Sequence, residues 1–331
     1  MAASRPWARR LIFSLIPLIT LVGGGEAALR LSGWPKKQAG AEFTHNEVYW
    51  VSDPSLRLQA FPHKETGASF RVSTDANGLR APLHAEQKPE GVFRVMTLGC
   101  STTFGWGVDD EQSYPARLEA ILKEQGHPVE VINGGQPGYT SFQGLWLWDR
   151  SLRRYQPDLV IFGYIVQDSR KVAYTDYSQA VIQQNGDFLK ENILHQLRLY
   201  LFFLNLRDGW LMNGGPGVGA GPAEQVYRIP LSEYVGNIRT FLDKTKEISA
   251  KMMLFGYPLE QNGYTSEHRA ILHAASAELN IPLYDPQPEF EQITAQQVLY
   301  FPQDRGHANA EGNNRIAQGM AQFLVANKLV P

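Results

Sequence analysis

Apolar and polar positions divide the chain into three stretches of different character. Leu11 to Val22 (LIFSLIPLITLV) is almost wholly apolar and is followed by Gly23-Gly24-Gly25. Residues 34–91 are rich in Pro, Gly and polar groups. Within them, Ser69-Phe70-Arg71-Val72-Ser73 alternates at the strand period and Asp75-Ala76-Asn77-Gly78 marks a turn, so this stretch predicts an extension with a hairpin packed on the domain after it. From Val92 onward, short apolar runs alternate with segments of helical period. Strands are expected over Val92–Leu98, Val129–Ile132, Leu159–Tyr164, Met252–Tyr257 and Ile281–Tyr284. Helices are expected over Gln112–Gln125, Phe142–Tyr155, Leu231–Ile248, His268–Leu279 and Ala310–Ala326. Such alternation specifies an α/β fold, with a mostly parallel sheet and helices on both faces.

The pattern divides the chain into an N-terminal flank and helix (1–33), the extension (34–91) and an α/β domain (92–331). Residues 169–227 interrupt the rhythm of that domain, and Gly214 to Pro222 is a flexible run inside them. This reads as an insertion or lid over the site. Tyr174, Tyr177, Tyr200, Phe202, Phe203 and Trp210 make it aromatic, which suits sugars or acyl chains, although aromatic residues at the helical spacing of Leu199 to Leu206 more often face a core.

Composition removes several classes of function. The 331 residues carry 31 Lys+Arg against 33 Asp+Glu, so there is no basic excess of the kind that binds nucleic acid. A single cysteine excludes an intramolecular disulfide framework and a Cys-rich metal site. The histidines show no H-x-x-x-H spacing, so neither a metal nor another cofactor is expected.

Arg5, Arg9 and Arg10 precede the apolar run without any acid among them, a pattern that keeps this end in the cytoplasm and exports the body. Twelve apolar residues are short for a span of about 20, but counting on through Leu31 reaches that length, with Arg30 snorkelling to the interface. The expectation is a single-pass anchor in the inner membrane with the body in the periplasm. The alternative is cleavage near Gly25-Glu26-Ala27 and secretion.

In a parallel sheet, ligands bind outside the carboxyl ends of the strands. Three strand-end segments carry chemistry there. Gly99-Cys100-Ser101 follows the first strand, and its serine reads as a nucleophile or as a simple cap. Asn133-Gly134-Gly135-Gln136-Pro137-Gly138 follows the second and reads as a donor-bearing loop or an ordinary turn; without a following lysine it is not a phosphate loop. Asp304-Arg305-Gly306-His307, before the last helix, places an acid three residues from an imidazole it can orient, on what is expected to be a turn.

Together the three segments resemble the SGNH (GDSL-like) hydrolase superfamily over roughly residues 90–327. Gly99-Cys100-Ser101 stands for its Gly-Asp-Ser block, Gly135 for the glycine of its second block, and Asp304 with His307 for its closing Asp-x-x-His. Asn77-Gly78-Leu79-Arg80 resembles a turn of its membrane-anchored members. The resemblance implies a flavodoxin-like three-layer sandwich with a five-stranded sheet. It also implies a serine esterase in which Ser101 is nucleophile, His307 base and Asp304 orienter, with oxyanion donors from Ser101 and Gly135 N–H and from the Gln167 amide. Two departures stand out. The family's third block, Gly-x-Asn-Asp, is Ile165-Val166-Gln167-Asp168, and Cys100 replaces the usual aspartate. Cys100 as nucleophile is the minor alternative. The expected substrate is an acyl ester, foremost an acetyl ester, of a glycan or lipid. The alternatives are an O-acyltransferase working through the same acyl-enzyme, or a weakened, membrane-tethered glycan-binding protein.

Overall fold

The computed structural model describes residues 6–32, 48–63, 66–172, 174–181, 197–200, 202–203, 206, 225–260, 262–302 and 304–331. Two compact units emerge, one of residues 1–39 with 180–224 and the other of 40–179 with 225–331. The first holds helix α1 (Pro6–Ser32), whose window Leu15–Ser32 is long and apolar enough to cross a membrane. Arg30 is not free to snorkel alone, since its Nε donates to Glu26 Oε1 at 2.7 Å. Glu26 also accepts the N–H groups of Arg198 (2.9 Å) and Leu199 (2.8 Å). Most of the aromatic insertion, including Trp210 and the run Gly214 to Pro222, lies outside the described residues.

The second unit is built on a five-stranded, wholly parallel sheet. Its strands are β3 (Phe93–Leu98), β4 (Val129–Asn133), β5 (Leu159–Phe162), β8 (Lys251–Phe255) and β9 (Leu283–Tyr284), in the order β4-β3-β5-β8-β9. All four residues of β5 are fully buried, which is why that segment reads as a continuous apolar run instead of an alternating one. Helix α3 (Tyr114–Glu124) packs on the terminal helix α8 (Ala310–Ala326). Helix α5 (Leu231–Glu247) packs on α4 (Ser141–Arg150) and α6 (Ser266–Leu279). Between β5 and α5, the short strands β6 (Lys171–Val172) and β7 (Val226–Tyr227) pair antiparallel.

The strand order reverses direction between β4-β3 and β5, so the chain leaves the carboxyl ends of β3 and β5 on either side of a crevice. Ser101 follows β3 there, on the one-turn helix α2 (Ser101–Phe104), and Gln167 follows β5.

Several boundaries differ from the periodicity. The helix expected from Gln112 begins at Tyr114 after a 3₁₀ turn, Asp110–Gln112, that closes a capping box on Asp109. The helix expected to Tyr155 ends at Arg150 and gives way to a 3₁₀ turn over Leu152–Tyr155. Helix α7 (Gln287–Ile293) is absent from the periodicity, because about two turns show too little period to stand out.

The extension folds as a hairpin, β1 (Gln59–Pro62) antiparallel to β2 (Ser69–Val72). In the turn after β2, Asp75 Oδ1 accepts the N–H groups of Asn77 (2.8 Å) and Leu79 (2.9 Å). Gly78 (φ +77°) has room for no side chain, since a Cβ there would sit 2.3 Å from Ser52 O. The turn delivers Arg80, fully buried, beneath the segment Ser101–Val108. Its guanidinium donates to the carbonyls of Phe104 (2.8 Å) and Val108 (2.6 Å) and pairs with Asp110 (3.0 Å). The extension is thus part of the scaffold behind the site.

Candidate active site

Ser101, His307 and Asp304 come together from the two ends of the domain. Ser101 Oγ lies 2.7 Å from His307 Nε2, and His307 Nδ1 lies 2.5 Å from Asp304 Oδ2. Asp304 and His307 do not sit on a simple turn. They lie in strand β11 (Asp304–Ala308), paired with β10 (Tyr300–Phe301), but the register jumps from Tyr300↔Ala308 to Phe301↔Asp304. Residues 305–307 are therefore looped out of the ladder. That bulge turns two side chains, which a regular strand would send to opposite faces, toward each other.

With Nδ1–H donating to the carboxylate, Nε2 is left to accept the Ser101 hydroxyl proton. Burial pushes the Asp304 carboxyl up, but the hydrogen bond and charge of His307, with lesser help from Gly306 N–H and His63, hold it below its ordinary value. Ser101 is 7% exposed.

Cys100 lies beside Ser101 in the chain and is closed off from solvent. It is buried, its Sγ lies 3.3 Å from Thr102 Oγ1, and burial pushes its thiol up, which disfavours the nucleophilic thiolate.

The donors for a developing negative charge are arranged differently from the sequence expectation. Gly135 N–H donates to Asn133 Oδ1 at 3.0 Å, and a Cβ on Gly135 would sit 2.3 Å from Phe104 N. This glycine lets its loop press against helix α2, and its own N–H is taken. In the same loop, Gly138 (φ +78°) is half-buried, and its N–H has no hydrogen-bond partner among the described residues. Ser101 N–H likewise has none there.

Gln167 stands at the crevice with its amide orientation fixed by Arg228, a residue the sequence did not single out. Arg228 Nη1 donates to Gln167 Oε1 (3.2 Å) and to Gly138 O (2.8 Å), while the same guanidinium pairs with Asp176 Oδ2 at 2.8 Å. A guanidinium only donates, so it must take the oxygen of the amide and leave the NH₂ for another acceptor. One cation therefore organises both the glycine loop and the altered third block. Asp168, next in the chain, is fully buried and accepts Ser141 N–H at 3.1 Å and the Ser141 hydroxyl. Burial pushes its carboxyl up to about 7. It braces the start of α4 and does not reach into the crevice.

Beside Gln167 opens a cavity of about 780 Å³ lined by Val166, Gln167, Ser169, Arg170, Lys171, Tyr227, Gly263, Tyr264 and Glu267. No group of three or more His, Cys, Asp or Glu able to hold a metal ion occurs among the described residues.

Residues 97–315, about two thirds of the chain, match the GDSL-like Lipase/Acylhydrolase family, and the chain belongs to that family of carboxylic ester hydrolases. The matched span contains Ser101, Gln167, Asp304 and His307. An arylesterase from Vibrio mimicus is 37% identical over 68 residues, 20% of this chain and 34% of that protein, so the chain spans about a third of the length of the curated relative it matches. Among solved structures, an acetylxylan esterase from Geobacillus stearothermophilus is 16% identical (TM-score 0.47), covering 70% of this chain and 94% of its own. The acetyl xylan esterase AlAXEase is also 16% identical (TM-score 0.46), covering 70% of this chain and 98% of its own.

Proposed function

We propose that the protein is an exported serine esterase that removes small acyl groups, acetyl foremost, from a glycan or lipid through Ser101, His307 and Asp304. The observation that carries the reading is the unbroken relay from Ser101 Oγ to His307 (2.7 Å) to Asp304 (2.5 Å). In the first half-reaction His307 takes the hydroxyl proton as Ser101 Oγ attacks the ester carbonyl. The tetrahedral oxyanion accepts hydrogen bonds from Ser101 N–H, from Gly138 N–H and from the Gln167 amide that Arg228 orients. His307 then protonates the leaving alcohol, and the acyl-enzyme forms. In the second half-reaction a water gives its proton to His307, attacks the acyl carbon, and releases the acid and the serine hydroxyl.

The cavity beside Gln167 suits the alcohol part of the ester. Tyr264 offers a ring face for a sugar, and Arg170, Lys171 and Glu267 offer polar partners. Export rests on α1 and its arginine-rich flank. The same features favour anchoring in the inner membrane, with the body outside the cytoplasm.

The test is hydrolysis of p-nitrophenyl acetate by Ser101→Ala. Turnover should fall by at least about 1,000-fold while the protein stays folded. Turnover equal to the unmodified protein would overturn the assignment. Water and a sugar hydroxyl are separated by running the reaction with an acetyl donor and an unacetylated oligosaccharide: free acetate as the product marks a hydrolase.

A further inference from the structure

The extension contributes a second imidazole to the site. His63 follows β1 and is 1% exposed, and its Nε2 lies 3.6 Å from Asp304 Oδ2, the oxygen that accepts from His307. Its place lies outside the span that matches the family.

The surroundings define which way the ring presents its proton. Thr66 N–H points at His63 Nδ1 at 3.3 Å, and Thr66 Oγ1 lies 3.0 Å from the same atom. A backbone N–H only donates, so Nδ1 is an acceptor and the proton sits on Nε2, facing the carboxylate. Three elements enclose the ring. Phe301 of β10 packs on it with centroids 4.6 Å apart, Phe70 of β2 stands edge-on at 6.5 Å, and Gly107 closes the third side. Gly107 has φ +90°, and a Cβ there would come within 2.9 Å of His63 Nε2 and 2.7 Å of Phe301 Cε2. A glycine at 107 is what lets the imidazole lie where it does.

We propose that His63 is a positioning residue for the reaction. Its Nε2–H holds the Asp304 carboxylate in the orientation that serves His307. The proposal rests on the Ser101–His307–Asp304 reading. Gly306 N–H holds Oδ1 at 3.2 Å and His63 faces Oδ2, so rotation of the carboxylate is opposed at both oxygens. At 3.6 Å the His63 contact is a charge–dipole attraction and not a hydrogen bond. It needs no proton transfer.

The experiment compares His63→Phe, which keeps a ring among Phe70 and Phe301 but has no donor, with His63→Gln, which keeps a donor. For p-nitrophenyl acetate, His63→Phe should lower kcat about tenfold with KM little changed, because a slightly misplaced relay loses rate and not binding. His63→Gln should recover most of that loss. The decisive arm is a double-mutant cycle: in an Asp304→Ala background, His63→Phe should cost nothing further. An equal cost in both backgrounds, an unchanged kcat for His63→Phe, or a Gln variant as slow as the Phe variant would each overturn the proposal. Should the Phe variant not fold, His63→Leu, which also lacks a donor, is taken through the same two backgrounds with the same expected outcomes. Ser101→Ala is run alongside. Turnover lost there but intact in His63→Phe overturns the His63 role alone, whereas turnover surviving Ser101→Ala overturns the relay and this proposal with it.

Discussion

The two ends of the crevice are held in place in different ways. At the relay end, each of Ser101, His307 and Asp304 has its functional partner in one of the other two, and the contacts are short. At the oxyanion end, orientation comes from residues outside the reaction. Asn133 claims the Gly135 N–H, and Arg228 decides which end of the Gln167 amide faces the crevice. A relay can therefore be read from three residue identities. A set of donors can be read only when the partners of every N–H are known.

Breaking either end should separate them by size of effect. Largest is loss of the relay: His307→Ala should match Ser101→Ala, both at least about 1,000-fold down in kcat, and combining them should add little. Next is the oxyanion end. Gln167→Ala should lower kcat about 100-fold with a smaller change in KM, as expected for a donor used mainly in the transition state. Arg228→Gln should reproduce that kcat loss and also lower the melting temperature, since it leaves the buried Asp176 without its cation.

Smaller effects sharpen the picture. Gly135→Ala should destabilise the fold by about 1–3 kcal/mol, read as a lower melting temperature, because its Cβ meets the backbone of Phe104. Cys100→Ala should leave turnover near that of the unmodified protein, since burial keeps the thiol protonated and closed off from solvent.

Two carboxyls predict opposite pH trends in stability. Asp304 is held below its ordinary 3.8, so its stabilisation is present at neutral pH and is lost as pH falls through the lowered value. Asp168 is pushed from 3.8 up to about 7, so its contribution is full below 3.8 and declines as pH rises toward 7. Melting curves at pH 5 and 8 should show that decline in the unmodified protein and a smaller one in Asp168→Asn, which keeps an acceptor for Ser141.

Much of the fold was legible because parallel strands buried on both sides announce themselves as apolar runs, and helices α3, α5, α6 and α8 as apolar stripes. The three candidate relay residues were visible as candidates because Asp304 and His307 are three apart and Ser101 follows the end of a strand. The bulge that joins Asp304 to His307 was not, since strand pairing with Tyr300 and Phe301 is a tertiary event. Arg228 and His63 left no local trace either. Arg228 is one cation in a polar stretch, and His63 meets Asp304 only once the extension packs against the far end of the domain. Gly135 and Gly138 are three residues apart in one loop, and nothing in their spacing tells which N–H Asn133 will occupy.

The proposed mechanism, at either end of the crevice, requires Ser101 to be an activated nucleophile. Labelling the purified full chain with a fluorophosphonate and mapping the adduct by peptide mass spectrometry tests it in one step. The expected result is a single adduct on Ser101 that is lost in His307→Ala. A folded protein that takes no label, or an adduct confined to another residue, would contradict it.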